Sequence, residues 1–263
     1  MLEKWRLLGL DVYNAYMNMA IDEAITQKRS QGVVPNTIRF YRWKPSAVSI
    51  GYFQLVEQEV NLDVCQELGV DVVRRMTGGG AVYHDYNGEL TYSVIVDQGN
   101  PKIPEDITKS YETICNGIVI ALNKIGINAE FKPINDIIVN GKKISGNAQT
   151  RRGNAILQHG TILLDADIRT MFKVLRVGIE KISDKAIKTV EERVTTINRE
   201  MGRRVTFEEV ANALKIGFEE ALEIELLKNA LTEEEMVLAT RLQTEKYQSR
   251  DWTFSRPRAS QPS

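Results

Sequence analysis

The residues most suited to chemistry are Arg74-Arg75-Met76-Thr77-Gly78-Gly79-Gly80-Ala81-Val82-Tyr83-His84-Asp85. Consecutive glycines let a backbone turn sharply and approach a ligand with no Cβ in the way. Successive N–H groups in such a turn form an anion-binding nest. An arginine pair beside it suits a carboxylate or a phosphate. The pattern therefore points to a phosphorylated or carboxylate-bearing ligand. It is not a P-loop, because no Gly-Lys-Ser/Thr leads into a helix. It is not a dinucleotide fingerprint either, because Tyr83 stands where a third spaced glycine belongs. A glycine-rich hairpin turn with no ligand is the competing reading, and the arginines and His84 weigh against it.

A second stretch runs Asn135-Asp136-Ile137-Ile138-Val139-Asn140-Gly141-Lys142-Lys143-Ile144-Ser145-Gly146-Asn147-Ala148-Gln149. Alternation from the Asn-Gly turn predicts Lys143, Ser145 and Asn147 on one face and Ile144, Gly146 and Ala148 on the other. A lysine on such a face is a fixed cation; a solvated turn lysine is the plainer alternative. A third stretch, Leu157-Gln158-His159-Gly160-Thr161, places a histidine in a strand. Such a histidine is either a catalyst or a hydrogen-bonded core residue. No GxSxG elbow is present. The two cysteines, Cys65 and Cys115, fall in helical patterns away from all three stretches.

The elements that must position these residues are legible from periodicity. WRLLGL (5–10) reads as a strand, and Asn14 caps a helix to about Arg29 with Met17, Ala20, Ile21, Ala24 and Ile25 on one face. TIRFYRW (37–43), AVSIG, DVVRR and LTYSVIV (90–96) read as strands, and 61–69 and 104–124 as helices. AEF, DIIV, KKISGNAQ and NAILQHGTILL read as short strands; Asn140-Gly141 and Gly153-Asn154 turn three of them into an antiparallel meander. From about Asp167 the pattern becomes helical, with a mixed connector over 181–204 and two acidic amphipathic helices over 205–246. The expected fold class is α+β, a mixed and largely antiparallel sheet with flanking helices.

Length and composition bound the rest. A chain of 263 residues with 43% hydrophobic and 26% charged residues has ordinary globular usage. Lys+Arg is 34 against Asp+Glu 35, so no global field draws the chain to nucleic acid or membrane. Two cysteines and two histidines exclude a disulfide framework, a cysteine-built zinc site and a three-histidine metal centre. MLEKWRLLGLD has no long apolar h-region and does not read as a secretory signal. The cysteine usage makes the cytoplasm the expected compartment.

Together RRMTGGGAVYHD, NDI…GKKISGNAQ and LQHGTILL resemble the lipoate–protein ligases of the biotin/lipoate ligase superfamily, from about residue 5 to the closing KYQSRDWTF. The resemblance implies a catalytic core related to class II synthetases and biotin ligases over 1–254, with a polar tail at 255–263. It implies activation of lipoate by ATP and Mg²⁺ to lipoyl-AMP, then transfer to a lysine. The implied acceptors are lipoyl domains of 2-oxoacid dehydrogenase complexes or the glycine cleavage H protein. Lys143 matches the family's invariant lysine and carries the catalytic expectation. Arg75 matches a phosphate-contacting arginine. Gly80, Ala81, Val82 and Tyr83 resemble the segment against which the adenylate lies, with His84 at its end, and Gly78, Gly79 and Ala148 are further substrate- or ATP-binding expectations. Asn135 and Asp136 match a pair near the nucleotide, with Asp136 as a Mg²⁺ contact and no other protein metal ligand. His159 and Gly160 match the strand beside the lipoyl pocket. The match to the catalytic body ends at the Trp-Thr-Phe segment (252–254) without the small C-terminal domain of many such ligases. The expectation is a separate accessory protein that supplies it, and the alternative is a self-sufficient single-domain enzyme.

The main alternative is octanoyl transfer through a cysteine thioester, as in homologues on the same scaffold. In the branch most similar to this chain that cysteine lies shortly before the KxSG-like strand, where AEFKPINDI has none. A biotin ligase lacks support because its GRGRxxRxW-type loop is absent, and a non-catalytic binding module is the remaining alternative.

Overall fold

The computed structural model describes residues 1–176 and 192–255. Two sheets organise these residues. The larger has the order β11-β1-β2-β6-β10-β9-β8-β7. Its centre is formed by β1 (Glu3–Tyr13), β2 (Thr37–Trp43), β6 (Glu89–Asp97) and β10 (Ala155–Leu163). The strands β9 (Lys142–Arg152), β8 (Asp136–Val139) and β7 (Ala129–Lys132) extend it to one edge, and β11 (Ile224–Lys228) forms the other. β1 pairs in parallel with both β11 and β2, while every pairing from β2 to β7 is antiparallel. The smaller sheet places β3 (Ala47–Ile50) between β4 (Asp71–Arg74) and β5 (Val82–His84).

Helix α1 (Ala15–Ser30) begins where predicted, because the Asn14 side chain accepts from the Met17 N–H. Short helices α2 (Val56–Glu59) and α3 (Leu62–Glu67) pack with the small sheet. α4 (Ile107–Lys124) starts at the Asp106 cap rather than near Pro104. Its Ile114, Ile118, Ala121 and Leu122 enter the main core. Gly117 lets the helix Phe207–Leu222 cross closely, since a Cβ there would lie 2.4 Å from the Phe218 ring.

The meander β8-β9-β10 forms through its two predicted hairpins, and Asn140 and Gly141 take positive φ values of 50° and 77°. One expectation changes. The stretch 205–246 is not helical throughout: Glu223 adopts φ 50°, ends the helix, and hands the chain to β11, whose Ile224 and Leu226 alternate into the core. The predicted connector over 181–204 lies partly outside the described residues, as does nearly all of the tail at 255–263. Its described part is ordered onto β9. The Lys143 N–H donates to the Arg193 carbonyl at 2.8 Å, and the Thr195 N–H to the Lys143 carbonyl at 2.9 Å. No described helix is long and apolar enough to cross a membrane.

Candidate active site

A cavity of about 310 Å³ opens between the two sheets, lined from β2, β3, β6, β9, β10, the glycine-rich loop and the short helix α5 (Ile168–Val174). Its volume falls at the small end of ligand pockets, roughly 300–1,000 Å³. Trp43, Ala81, Val82, Leu163, Met171 and Leu175 give it apolar walls. Lys143, Asn147, His84 and His159 supply polar groups. An apolar tail with one polar, reacting end suits such a lining.

Arg75 organises the glycine-rich loop. Its Nη2 donates to the carbonyls of Gly78 and Gly80 at 2.7 and 2.8 Å. Its Nη1 donates to the Ser49 carbonyl and hydroxyl at 3.0 and 3.2 Å, and Nε to the Thr77 hydroxyl at 3.1 Å. Those bonds use all five guanidinium N–H groups. Expected as a direct phosphate contact, Arg75 is in this structure a buried loop-holder whose pKa burial lowers to about 10. It draws the loop carbonyls inward, and the amides of Gly79, Gly80 and Ala81 donate to no protein oxygen among the described residues. These three residues line the cavity, and unpaired amides in such a turn are the donors an anion-binding nest uses.

Arg74 is also committed. It donates to the carbonyls of Gly51, Tyr52 and Gln54 and to those of Trp252 and Thr253. The closing Trp-Thr-Phe segment is thereby pinned under the loop. Gly51 permits the approach from the other side, since a Cβ there would fall 2.0 Å from the Gly79 carbonyl oxygen.

The alternation expected for β9 is broken by a bulge. Ser145 pairs with Ile137 and Lys143 with Ile138, which leaves Ile144 as the extra residue. Lys143 consequently shares its side with Gly146, not with Ser145 and Asn147. Its Nζ lies 2.6 Å from the Asp136 carboxylate and would lie 2.7 Å from a Cβ on Gly146. Ser145 is buried instead, and Asn147 is locked in place. Asn147 donates to the Asn135 carbonyl at 2.8 Å and accepts from the Tyr92 hydroxyl at 2.7 Å. Asn135 thus braces β9. Gly160 makes room for that lock, because a Cβ would meet Asn147 Oδ1 at 2.0 Å. Asp136, expected as a Mg²⁺ contact, is paired with Lys143. No group of three or more His, Cys, Asp or Glu among the described residues is arranged to hold a metal ion.

Behind the site lies a group that the sequence reading missed, Asp22, joined to the predicted His159. Asp22 of α1 is buried and accepts from Arg39 at 3.0 Å, Tyr41 at 3.0 Å and Ser93 at 3.0 Å. His159 Nδ1 stands 3.4 Å from Asp22, and its Nε2 stands 2.7 Å from the Thr77 hydroxyl. Burial pushes the Asp22 carboxyl up, but bonds from His159 and Arg39 outweigh it and hold the group below the usual carboxylate range. Burial lowers the His159 pKa, so the ring is neutral. The trace of Asp22 in the sequence is the acidic pair Asp22-Glu23 inside the helical stretch MAIDEAI.

Neither cysteine lines the cavity. Cys65 packs in the small-sheet cluster, where burial raises its pKa to about 11. Cys115 lies in the main core, where burial raises it to about 12, and its Sγ accepts from Gln158 at 3.5 Å. Neither is a thiolate at neutral pH.

The model of the lipoyl protein ligase A/B catalytic domain matches residues 14–219. The chain belongs to this family. Curated relatives span its length: octanoyltransferase LipM of Brevibacillus brevis is 38% identical over 97% of this chain and 100% of its own. The LipM of Clostridioides difficile is 35% identical over 97% and 100%. A solved chain from the bi-partite lipoate protein ligase of Thermoplasma acidophilum, described with its E2 lipoyl domain, superimposes with a TM-score of 0.88. It is 36% identical over 98% of both chains. A lipoate-protein ligase A bound with ATP gives 0.83 at 34% identity over 97% of this chain and 100% of its own. Family and fold class are as the sequence indicated, an enzyme family of lipoate-related protein modification.

The expected reaction is corrected. Curated relatives between 34% and 39% identical over almost the whole chain are named octanoyltransferase, which overturns ATP-dependent lipoate ligation as the principal reading. Among the solved relatives one was bound with ATP and another, the Thermoplasma acidophilum protein Ta0514, with lipoic acid. Mg²⁺ has no support from these relatives.

Proposed function

We propose that this chain transfers an octanoyl group from a thioester donor to the ε-amino group of a lysine on a lipoyl-domain protein. Lipoyl domains of the 2-oxoacid dehydrogenase or glycine-cleavage type are the acceptor class. The observation that carries the reading is the cavity: apolar over most of its wall, with Lys143 and the free amides of Gly79–Ala81 among its polar groups. The apolar part holds the acyl tail and the polar part receives its carbonyl. The names of the curated relatives point to the same acyl group.

Acyl transfer builds negative charge on the carbonyl oxygen as a tetrahedral centre forms. Fixed donors that meet that oxygen in the transition state lower the barrier, and removing one such donor costs roughly a hundred- to a thousandfold. Lys143 is the donor we assign to this role; its pairing with Asp136 and the space over Gly146 support the assignment. Asn135, Asn147 and Gly160 hold the strands on which it sits. Arg75 acts indirectly, by turning the loop amides toward the substrate.

The test is incubation of the purified chain with the octanoyl thioester of a phosphopantetheinylated carrier protein and a lipoyl domain. Intact-mass analysis should show one octanoyl group on the acceptor lysine, abolished when that lysine is replaced by arginine. An unmodified lipoyl domain under these conditions would contradict the proposal.

A further inference from the structure

With both cysteines outside the cavity, the site still contains a hydroxyl, an imidazole and a carboxylate in series. We propose that Ser49 is a nucleophile that carries the acyl group as an ester, with His84 as its general base and Glu89 as the group that orients His84. The proposal rests on the transferase reading above and specifies its route.

The placement follows from strand register. Ser49 on β3 stands opposite Val82 of β5, and His84 follows two residues later on the same face. The Ser49 hydroxyl lies 2.8 Å from His84 Nε2, and His84 Nδ1 lies 3.2 Å from Glu89 Oε2 on β6 of the other sheet. All three residues line the cavity. The His84 ring is fixed by stacking on Trp43 at 4.0 Å and 18°.

Donors at both ends set the direction of the chain. Arg75 Nη1 donates to the Ser49 hydroxyl, so the hydroxyl proton points to His84 Nε2. That leaves the Nδ1 proton for Glu89. At the far end Trp43 Nε1 donates to Thr91, and Thr91 donates to Glu89 Oε1. Glu89 is therefore an acceptor on both oxygens, which is the state that orients an imidazole base.

A second series, Thr77–His159–Asp22, also starts at Arg75. It differs in two respects. Thr77 does not line the cavity, and Asp22 is neutralised by the buried Arg39 guanidinium. That series is a brace; the one ending at Glu89 faces the substrate.

The steps balance without a further reactant. Ser49 Oγ attacks the thioester carbon as its proton passes to His84 Nε2. The C–S bond breaks and the leaving thiolate takes that proton, giving a free carrier thiol and an octanoyl ester on Ser49. A neutral lysine amine then attacks the ester carbon and gives a proton to His84. The C–O bond breaks, Ser49 recovers the proton, and the amide is released.

The experiment incubates the whole chain with the octanoyl carrier thioester and no acceptor, then maps the acyl group by peptide mass spectrometry. The expected result is octanoylation of the peptide containing Ser49, chased off by a lipoyl domain. Ser49→Ala should lower transfer at least about a hundredfold. Ser49→Cys, with thermal unfolding as the check on folding, should capture the acyl group as a thioester released by neutral hydroxylamine. If the wild-type chain transfers octanoyl while no Ser49 ester forms and S49A transfers at the wild-type rate, the relay is overturned and the transferase reading stands. If the wild-type chain transfers nothing from the thioester, the transferase reading fails first and takes the relay with it.

Discussion

Lys143 and Asp136 form an ion pair of 2.6 Å across a bulge in the β8–β9 hairpin, with the lysine side chain folded over Gly146. Both side chains are partly exposed, so the pair contributes little to stability. Its consequence is positional, because the carboxylate fixes where the ammonium stands before substrate arrives.

Lys143→Ala should therefore lower the transfer rate by a hundredfold or more, while the unfolding temperature stays close to wild type. Lys142→Ala, one residue away and not among the cavity-lining residues, should change the rate less than threefold. Steady-state kinetics on a lipoyl domain separates the two. Equal and mild effects would remove Lys143 from the reaction. Asp136→Asn should fall between them and act mainly on kcat, since the ammonium remains but loses its anchor.

Gly80 and Gly51 make opposite predictions. A Cβ on Gly80 meets nothing within 4 Å, so Gly80→Val should fold normally and lose acyl-donor binding by filling the cavity. A Cβ on Gly51 would collide with the Gly79 carbonyl at 2.0 Å, so Gly51→Ala should displace the loop and lower the melting temperature. Calorimetric binding and thermal unfolding of both variants check this pair. A folded Gly80→Val with unchanged affinity would refute the role of the loop.

Replacing Cys65 and Cys115 together by Ala should leave most transfer activity, because burial keeps both thiols protonated and outside the cavity. A small loss of stability follows from the space left in two packed clusters. A folded double variant unable to transfer would return the acyl relay to a cysteine.

Much of this was legible from residue types. The Asn14 cap, the two hairpin turns and the succession of strands along the chain follow from local chemistry, and the glycine-rich loop, Lys143 and His159 all reach one cavity. What escaped notice depended on long-range contacts. The β11 segment looks helical until its parallel pairing with β1 is known. The bulge at Ile144 overturned simple alternation, which shows that a two-residue period fails where one strand carries an extra residue. Arg75 read as a ligand-binding cation because its five protein acceptors come from four separate residues spread over Ser49 to Gly80. Asp22 was hidden because its partners lie on other elements, Arg39 on β2, Ser93 on β6 and His159 on β10.

The Asp22–His159 pair makes stability fall toward acid in two windows. Folded His159 resists protonation, so the unfolded chain takes up a proton first as pH drops below about 6.5, and stability declines from there. Asp22 is held ionised in the fold, so its contribution is complete above about pH 4 and is lost as pH falls through its lowered folded value. Melting temperature against pH should show both limbs. His159→Gln should flatten the upper one. Asp22→Asn leaves Arg39 without its carboxylate and should cost about 3–5 kcal/mol at neutral pH. A pH profile unchanged by His159→Gln would contradict the assignment.

The most direct measurement compares two donors in parallel with one lipoyl domain: the octanoyl carrier thioester without nucleotide, and free octanoate or lipoate with ATP and Mg²⁺. The transferase account predicts amide formation from the thioester alone, with free carrier thiol released in equal amount and no pyrophosphate. Acyl transfer that occurs only from the free acid, with pyrophosphate released for every lysine modified, would contradict it.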